Sequence, residues 1–345
     1  NAVVTQYQSL YSNKLALLAV KTRITSSLYY LLFNRRFYRE HQAVLAGRIG
    51  YSNSLKGTDL SNTLLRRNTH RLEKGLIMQP RKDIFAEAYI AETVSIYIAS
   101  CHKEDFCENE LKWARDVLTE YFSIVHKTVV IEESYKLFLA ASDSVLNNKV
   151  GSVQTSKPYH SSHRELSDIT ANDLYKLFKQ RRSVRWFSDK NVSTSLIEQA
   201  IEMAAQAPSA CNRQPFGFYT TTCPDTATEI SSIPMGTKGF SENIPALIVV
   251  MGDLSSYPKE QDRHVIYIDG GLVAMQLMLA FESLGLSTCP INWPDIEMYE
   301  KKLANRLNLE AYQRPIMMMA LGYASKDGGI PYSQKKSAKQ LIKVI

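Results

Sequence analysis

The sequence of 345 residues predicts an α+β protein: an all-α N-terminal part, then a part that mixes strands with helices. Three observations predict it. Apolar residues recur at helical spacing through residues 1–148, where glycine and proline are scarce. Residues 245–251 are apolar throughout, as in a strand whose sheet is covered on both faces. Residues 269–284 form a long apolar stretch, opened by Gly270-Gly271 and closed by Gly285, expected as a helix buried all round.

The elements follow in order. Leu15, Leu18, Ala19, Ile24 and Leu28 make a first helical stripe. Phe85, Ala88, Tyr89, Ala91 and Tyr97 make a second, interrupted by Glu92. Trp113, Val117, Leu118, Tyr121 and Val125 form a third, and Tyr135, Leu137, Phe138 and Ala141 a fourth. A polar stretch then reads as a linker, which divides the chain into a helical domain, 1–150, a linker, 151–168, and a second domain, 169–345. Thr170 or Asn172 is placed to cap a helix through Leu174, Leu177 and Phe178. Residues 192–205 give another, with Ser193 or Thr194 near its start and Ile197, Ile201 and Ala204 on one side. Strands are expected at 216–222, 245–251 and 316–321. The apolar helix at 269–284 is either a core helix or a subunit interface.

Composition narrows the classes. Hydrophobic residues at 45% and charged residues at 22% are usual for a soluble globular chain. The net charge of +7 permits contact with nucleic acid or acidic lipid, but no nucleic-acid motif is present, so nucleic acid is not an expected partner. Five cysteines make no Cys-x-x-Cys pair and are odd in number. That argues against a disulfide framework or a zinc site, and for a reducing, cytoplasmic location. The longest apolar runs, 28–33 and 246–251, fall far short of the ~20 residues a membrane span needs. The aromatic, basic stretch 21–39 is expected to pack against the second domain, with no membrane-surface role. His70 and Glu73 share a helix face without further ligands, so an ion pair is expected there and no metal.

The chemistry concentrates in residues 181–219. In an extended segment, Arg181, Ser183 and Arg185 point the same way, and two guanidinium forks with a hydroxyl suit a phosphate monoester. Arg182 is a further candidate for the cofactor site, the alternative being a surface charge that faces elsewhere. One amphipathic helix later comes Pro208-Ser209-Ala210-Cys211-Asn212-Arg213-Gln214-Pro215, whose amides can reach the polar edge of a planar heterocycle. Phosphate at one end and a hydrogen-bonding ring at the other describe a nucleotide such as flavin mononucleotide (FMN). Asn212 also suits a turn-stabilising role. No Ser-His-Asp arrangement, P-loop or Gly-x-Gly-x-x-Gly is present, which disfavours a Rossmann site for NAD(P)H.

These two motifs, at this separation, resemble those of the nitroreductase family of flavoproteins over roughly residues 168–345. The resemblance implies a central, mainly antiparallel sheet flanked by helices, and a homodimer with two FMN sites at its interface. It implies that Arg181, Ser183 and Arg185 hold the phosphate, with Lys335 and Lys336 as candidates to complete the clamp. It implies that Pro208, Ser209, Asn212 and Gln214 approach the flavin from the neighbouring subunit. The segment with Ile291, Asn292 and Trp293 matches the family stretch whose backbone N–H donates to flavin N5. Family members often carry Gly where this chain has Trp293, a departure that would narrow the substrate pocket.

The implied activity is ping-pong transfer of hydride from NAD(P)H, through flavin N5, to a small-molecule oxidant such as a nitro compound or quinone. No side chain need act as acid or base, because the flavin carries the chemistry. An N-terminal helical domain is not part of minimal nitroreductases. It favours a dedicated substrate, so the alternatives are a peptide dehydrogenase, a reductive dehalogenase or a flavin-fragmenting enzyme. A non-enzymatic flavin-binding interaction protein is the remaining class.

Overall fold

The computed structural model describes residues 15–54, 60–145 and 155–345. Helices α1 (Arg23–Leu32), α2 (Tyr38–Ser54), α3 (Thr63–Leu76), α4 (Glu87–Cys101), α5 (Glu108–Ile124) and α6 (Val129–Val145) make up the N-terminal part. α7 (Ala171–Gln180), α8 (Thr194–Ala204), α9 (Pro224–Ser231), α10 (Val265–Ser283) and α11 (Glu297–Leu307) surround the sheet. Four strands, β1 (Phe216–Thr221), β2 (Ala246–Asp253), β3 (Ser287–Asn292) and β4 (Gln313–Gly322), lie in the order β1-β2-β4-β3 with every pair antiparallel. The α+β architecture with an antiparallel sheet is therefore present.

Both faces of the sheet are covered. Ile248 and Val250 of β2, with Met319 and Leu321 of β4, pack under α8 and α10 through Ala200, Ala204, Leu277 and Phe281. Leu247, Val249, Met318 and Ala320 point the other way, into a second core with Ile230 of α9, Leu303 of α11, Val184 and Phe187. This explains why β2 lacks the polar alternation of a half-exposed strand. The apolar helix is the main lid of the first core, and it begins four residues earlier than the sequence suggests. Gly270 and Gly271 do not open it. Gly270 lies inside the helix because a Cβ there would come within 2.1 Å of Ile316 Cδ1, so glycine permits a close approach to β4. Burial is not complete around α10 either, since Tyr267, Ile268, Leu272 and Met275 are exposed along one stripe. β3 was not legible as a strand. It carries Pro290, which an edge strand tolerates because one of its sides needs no ladder donor.

α3 to α6 enclose their own core, with Leu65, Leu72, Ile90, Tyr97, Leu118 and Tyr121 essentially inaccessible. Glu92, which interrupts the apolar pattern of α4, accepts a hydrogen bond from Asn68. His70 and Glu73 form the expected ion pair at 3.3 Å. α2 behaves differently, since Ala43 packs with Leu254, Tyr257 and Ile266 of the C-terminal part. The first apolar stripe does not run as one helix. Thr22, in a reciprocal capping arrangement with Thr25, restarts the chain as α1. This basic stretch meets the C-terminal part at its end, where Arg39 pairs with Asp295 and Glu300, whereas α1 buries none of its residues and leaves Leu28, Leu31 and Leu32 exposed.

Part of the expected linker, 151–154, lies outside the described residues. Its continuation is fastened to α5, where Asp116 accepts from Ser156 N at 2.8 Å and Lys157 pairs with Glu120 at 2.9 Å. Among the described residues, one helical stretch, Glu260–Ser283, is long and apolar enough to cross a membrane, and half of it lies inside the protein.

Phe281 anchors the packing of α10 on the sheet and is fully buried. Phe281→Ala should cost about 3–5 kcal/mol, the usual penalty for emptying a buried aromatic site. Equilibrium denaturation by urea measures it, and a loss below about 1 kcal/mol would contradict the packing described.

Candidate functional site

Two groups of sequence-predicted residues emerge as separate clusters. Thr170 caps α7 by accepting from Asp173 N, and α7 ends at Gln180, delivering Arg181 onto an extended segment. Ser183 pairs with Thr288 in a parallel bridge, and Val184 N donates to Thr288 O at 3.0 Å. The segment thus lies alongside β3, pinned by Val184 and Phe187 in the second core. The Arg182 guanidinium donates to Arg181 O at 3.1 Å. Burial pushes the Cys289 thiol up, and the charges of Arg185 and Arg181 partly offset it.

The polar groups here are incompletely paired. Arg181 Nε and Thr288 Oγ1 are buried without a hydrogen-bond partner. Glu282, pushed up by burial, is drawn back by its hydrogen bond from Gln180 and by the Arg181 charge. A buried guanidinium nitrogen and a buried hydroxyl lacking acceptors are costly unless an anion or another acceptor satisfies them.

The second cluster is the loop before β1. Cys211, Asn212 and Gln214 have φ of 54°, 51° and 50°, left-handed backbone that non-glycine residues adopt only under constraint. Ser209 Oγ accepts from Gln214 N at 3.0 Å, closing the loop on itself. Asp269, buried in α10, accepts from Ala210 N at 3.0 Å and from Tyr257 OH at 3.2 Å. Arg213 is buried and donates to Ser256 O, with its guanidinium 5.2 Å from the Tyr257 ring. The Gln214 side chain is already engaged, donating to Ala205 O at 3.1 Å and accepting from Arg66 at 2.9 Å. Pro208 is exposed, and Asn212 makes no side-chain hydrogen bond among the described residues.

The sheet order keeps the two clusters apart within one chain. Residues 181–185 lie beyond the β3 edge, whereas the loop enters β1, the opposite edge. Three strand spacings separate those edges, about 14 Å. Of the remaining sequence-predicted residues, Ile291 and Trp293 are buried in the second core, and Trp293 Nε1 donates to Glu300 at 2.8 Å. The Trp293 ring is therefore part of the interior of this chain. Asn292 is exposed at the end of β3. Lys335 and Lys336 lie exposed on the C-terminal tail, with no ion pair among the described residues.

Sequence reasoning missed the arginines that the N-terminal helices contribute. Arg66 of α3 reaches the loop, donating from Nε to Asn212 O at 3.1 Å. Arg39 of α2 pairs with Asp295 and with Glu300 at 3.5 Å, bracing the turn between β3 and α11. Neither sits in a motif. The available signal was only a pair of adjacent arginines, Arg66-Arg67, in a largely polar helix. All five cysteines are free, and no group of three His, Cys, Asp or Glu side chains suited to a metal occurs among the described residues.

The family match falls on the C-terminal part. A family model described as "Nitroreductase family" matches residues 178–233 and 224–323. The protein named "Putative NAD(P)H nitroreductase YdgI" of Bacillus subtilis is 26% identical over 200 residues, covering 48% of this chain and 94% of that one. "Iodotyrosine deiodinase 1" of Homo sapiens is 23% identical over 218 residues, covering 54% of this chain and 73% of its own. A nitroreductase-family crystal structure from Streptococcus pneumoniae aligns with a TM-score of 0.44 and 23% identity, over 50% of this chain and 100% of that one.

Burial holds the Asp269 carboxyl above the usual carboxylate range, despite the bonds from Ala210 and Tyr257. The stability it contributes is complete below its unfolded value, about 3.9, and is lost as pH rises through the raised folded value. Asp269→Asn cannot ionise and should escape that loss. Its Tm relative to wild type is expected to improve as pH rises above the unfolded value, and a difference that does not change with pH would refute the assignment.

Proposed function

Taking residues 178–323 as a nitroreductase-family domain, we propose that the protein is an FMN-dependent oxidoreductase working as a homodimer on a small-molecule substrate. The observation that carries this reading is the placement of the anion-suited cluster and the amide-rich loop at opposite edges of one sheet. Within one chain the sheet lies between them, and its register sets Thr288 level with the end of β1 at Thr221 while the loop enters at Phe216, so they stand at opposite corners of the sheet. In a two-fold pair, each loop can meet the other chain's arginine cluster. The exposed apolar stripe of α10, Tyr267, Ile268, Leu272 and Met275, supplies a face that a second copy would cover.

The residues fit the group. Arg181 Nε and Thr288 Oγ1 are buried and lack acceptors, which phosphate oxygens would provide. Arg185 adds a second guanidinium from the same side, and Ser183 a hydroxyl, while Lys335 and Lys336 are available to close over the phosphate from the tail. Pro208, Ser209 and Asn212 of the second chain would border the ring system. Gln214 serves best by shaping the loop, because its amide is committed to Ala205 and Arg66. The exposed end of β3 at Asn292 offers a backbone position toward the reactive face, with Ile291 and Trp293 holding it from the core. Held by these residues, FMN would supply hydride chemistry at N5, between NAD(P)H as the reductant and an oxidant in alternating half-reactions. The protein contributes position and electrostatics. We place it in the cytoplasm, consistent with five unpaired cysteines. We retain the division into a helical unit, 1–150, a connector, 151–168, and the catalytic unit, 169–345.

The relatives named iodotyrosine deiodinase favour a second reading, reductive dehalogenation. There an aryl C–I bond is replaced by C–H with two electrons and one proton, and iodide leaves. The helical unit, which minimal nitroreductases lack, suits such a dedicated substrate.

The visible spectrum of purified protein with added FMN tests the reading, and absence of any bound flavin would overturn it. Arg185→Ala should weaken FMN binding about tenfold or more, the loss expected for one charge-assisted hydrogen bond. Unchanged affinity would remove Arg185 from the phosphate site. Iodide release from iodotyrosine, set against NADH or NADPH oxidation with quinone and nitroaromatic acceptors, separates the two readings.

A further inference from the structure

The N-terminal helices reach into the proposed flavin site at one well-defined point. Arg66 stands on α3, in the helical bundle, yet two of its three guanidinium nitrogens are spent on the loop before β1. Nε donates to Asn212 O at 3.1 Å and one Nη donates to Gln214 Oε1 at 2.9 Å. The other Nη donates to Glu110 of α5 at 3.0 Å. Glu110 is itself buried and is held by Ser61 Oγ and Asn62 N, so the bundle side of this bridge is rigid. The Trp113 ring lies 5.6 Å from the Arg66 guanidinium and limits its movement.

On the loop side, the two groups that Arg66 reaches belong to residues with positive φ. Backbone of that kind persists only where the surroundings over-determine it. Asp269, Ser209 and Ala205 supply constraints from the C-terminal part. Arg66 is the constraint that comes from the bundle. A planar fork addressing three acceptors in two structural units is a task that lysine, a point charge, cannot reproduce.

We propose that Arg66 is a positioning residue of the flavin site, through which the helical bundle holds the 209–214 loop in the shape that receives the cofactor. Its consequence for FMN rests on the function proposed above, whereas its effect on the loop does not. Arg39 makes a parallel contact from α2 to Asp295 and Glu300, beside the exposed end of β3. Both loops flanking the proposed ring site are thus braced from the first 70 residues.

The test uses the full chain and two variants. Arg66→Lys keeps the charge beside Glu110 and loses the fork. Arg66→Met with Glu110→Gln removes both charges together, so that no buried carboxylate is left unpaired. Hydrogen exchange of the peptide covering 207–216, without flavin, reads the loop, and FMN fluorescence titration reads the site. Both variants should exchange about tenfold faster in the loop and bind FMN about tenfold more weakly, with α4 and α5 as protected as in wild type. Unchanged loop exchange overturns the proposal, as does faster loop exchange with unchanged FMN affinity. Loop and bundle loosening together overturns it too, since Arg66 would then be only a bundle residue. If wild type binds no FMN, the flavin reading falls, and loop exchange alone decides the positioning role.

Discussion

Burial of both faces of β2 and β4 is the constraint on which the rest of the structure depends. Once the central strands must be covered on each side, α8 and α10 have to lie on one face and α9 and α11 on the other. The remaining strands, β1 and β3, then become the two edges. Every chemically interesting segment is attached to an edge: the arginine segment runs beside β3, and the amide-rich loop feeds β1. The distance between them follows from the covering of the sheet, and it is what makes a second copy part of the proposed site.

Each edge cluster is stabilised in its own way. At β3, backbone pairing with Thr288 fixes the arginine segment, and the side chains are left with donors that the protein does not satisfy. Such unsatisfied groups cost stability and are most readily explained by something that binds. At β1 the reverse holds. The loop is strained in its backbone but richly hydrogen-bonded, from Asp269 beneath, from its own Ser209, and from Arg66 across the boundary with the helical bundle. One cluster waits for an acceptor, while the other is already shaped to present a surface.

The helical half is therefore more than an appended module. α3 to α6 have an independent core, but α2 shares one with the sheet layer, and Arg39 and Arg66 enter the segments nearest the proposed cofactor. A helical unit built for a dedicated substrate would be expected to touch the site in this manner.

Local pattern was sufficient for the α+β class, the doubly covered strand β2 and the two chemical motifs, and it narrowed two helix caps to Thr170 or Asn172 and Ser193 or Thr194, of which the structure uses Thr170 and Ser193. Each of these is written in side chains close together along the chain, through periodicity, capping or spacing. Other features needed the fold. Gly270 looks like a helix opener until Ile316, 46 positions later, is seen pressing against it. β3 is disguised by Pro290 and becomes a strand only because β4 pairs with it at an edge. Trp293 reads as a pocket residue and is interior because Glu300 and the second core claim it. Arg66 carries no motif at all, since its meaning lies in acceptors about 150 residues away, and a contact of that kind is created by tertiary packing rather than by local sequence.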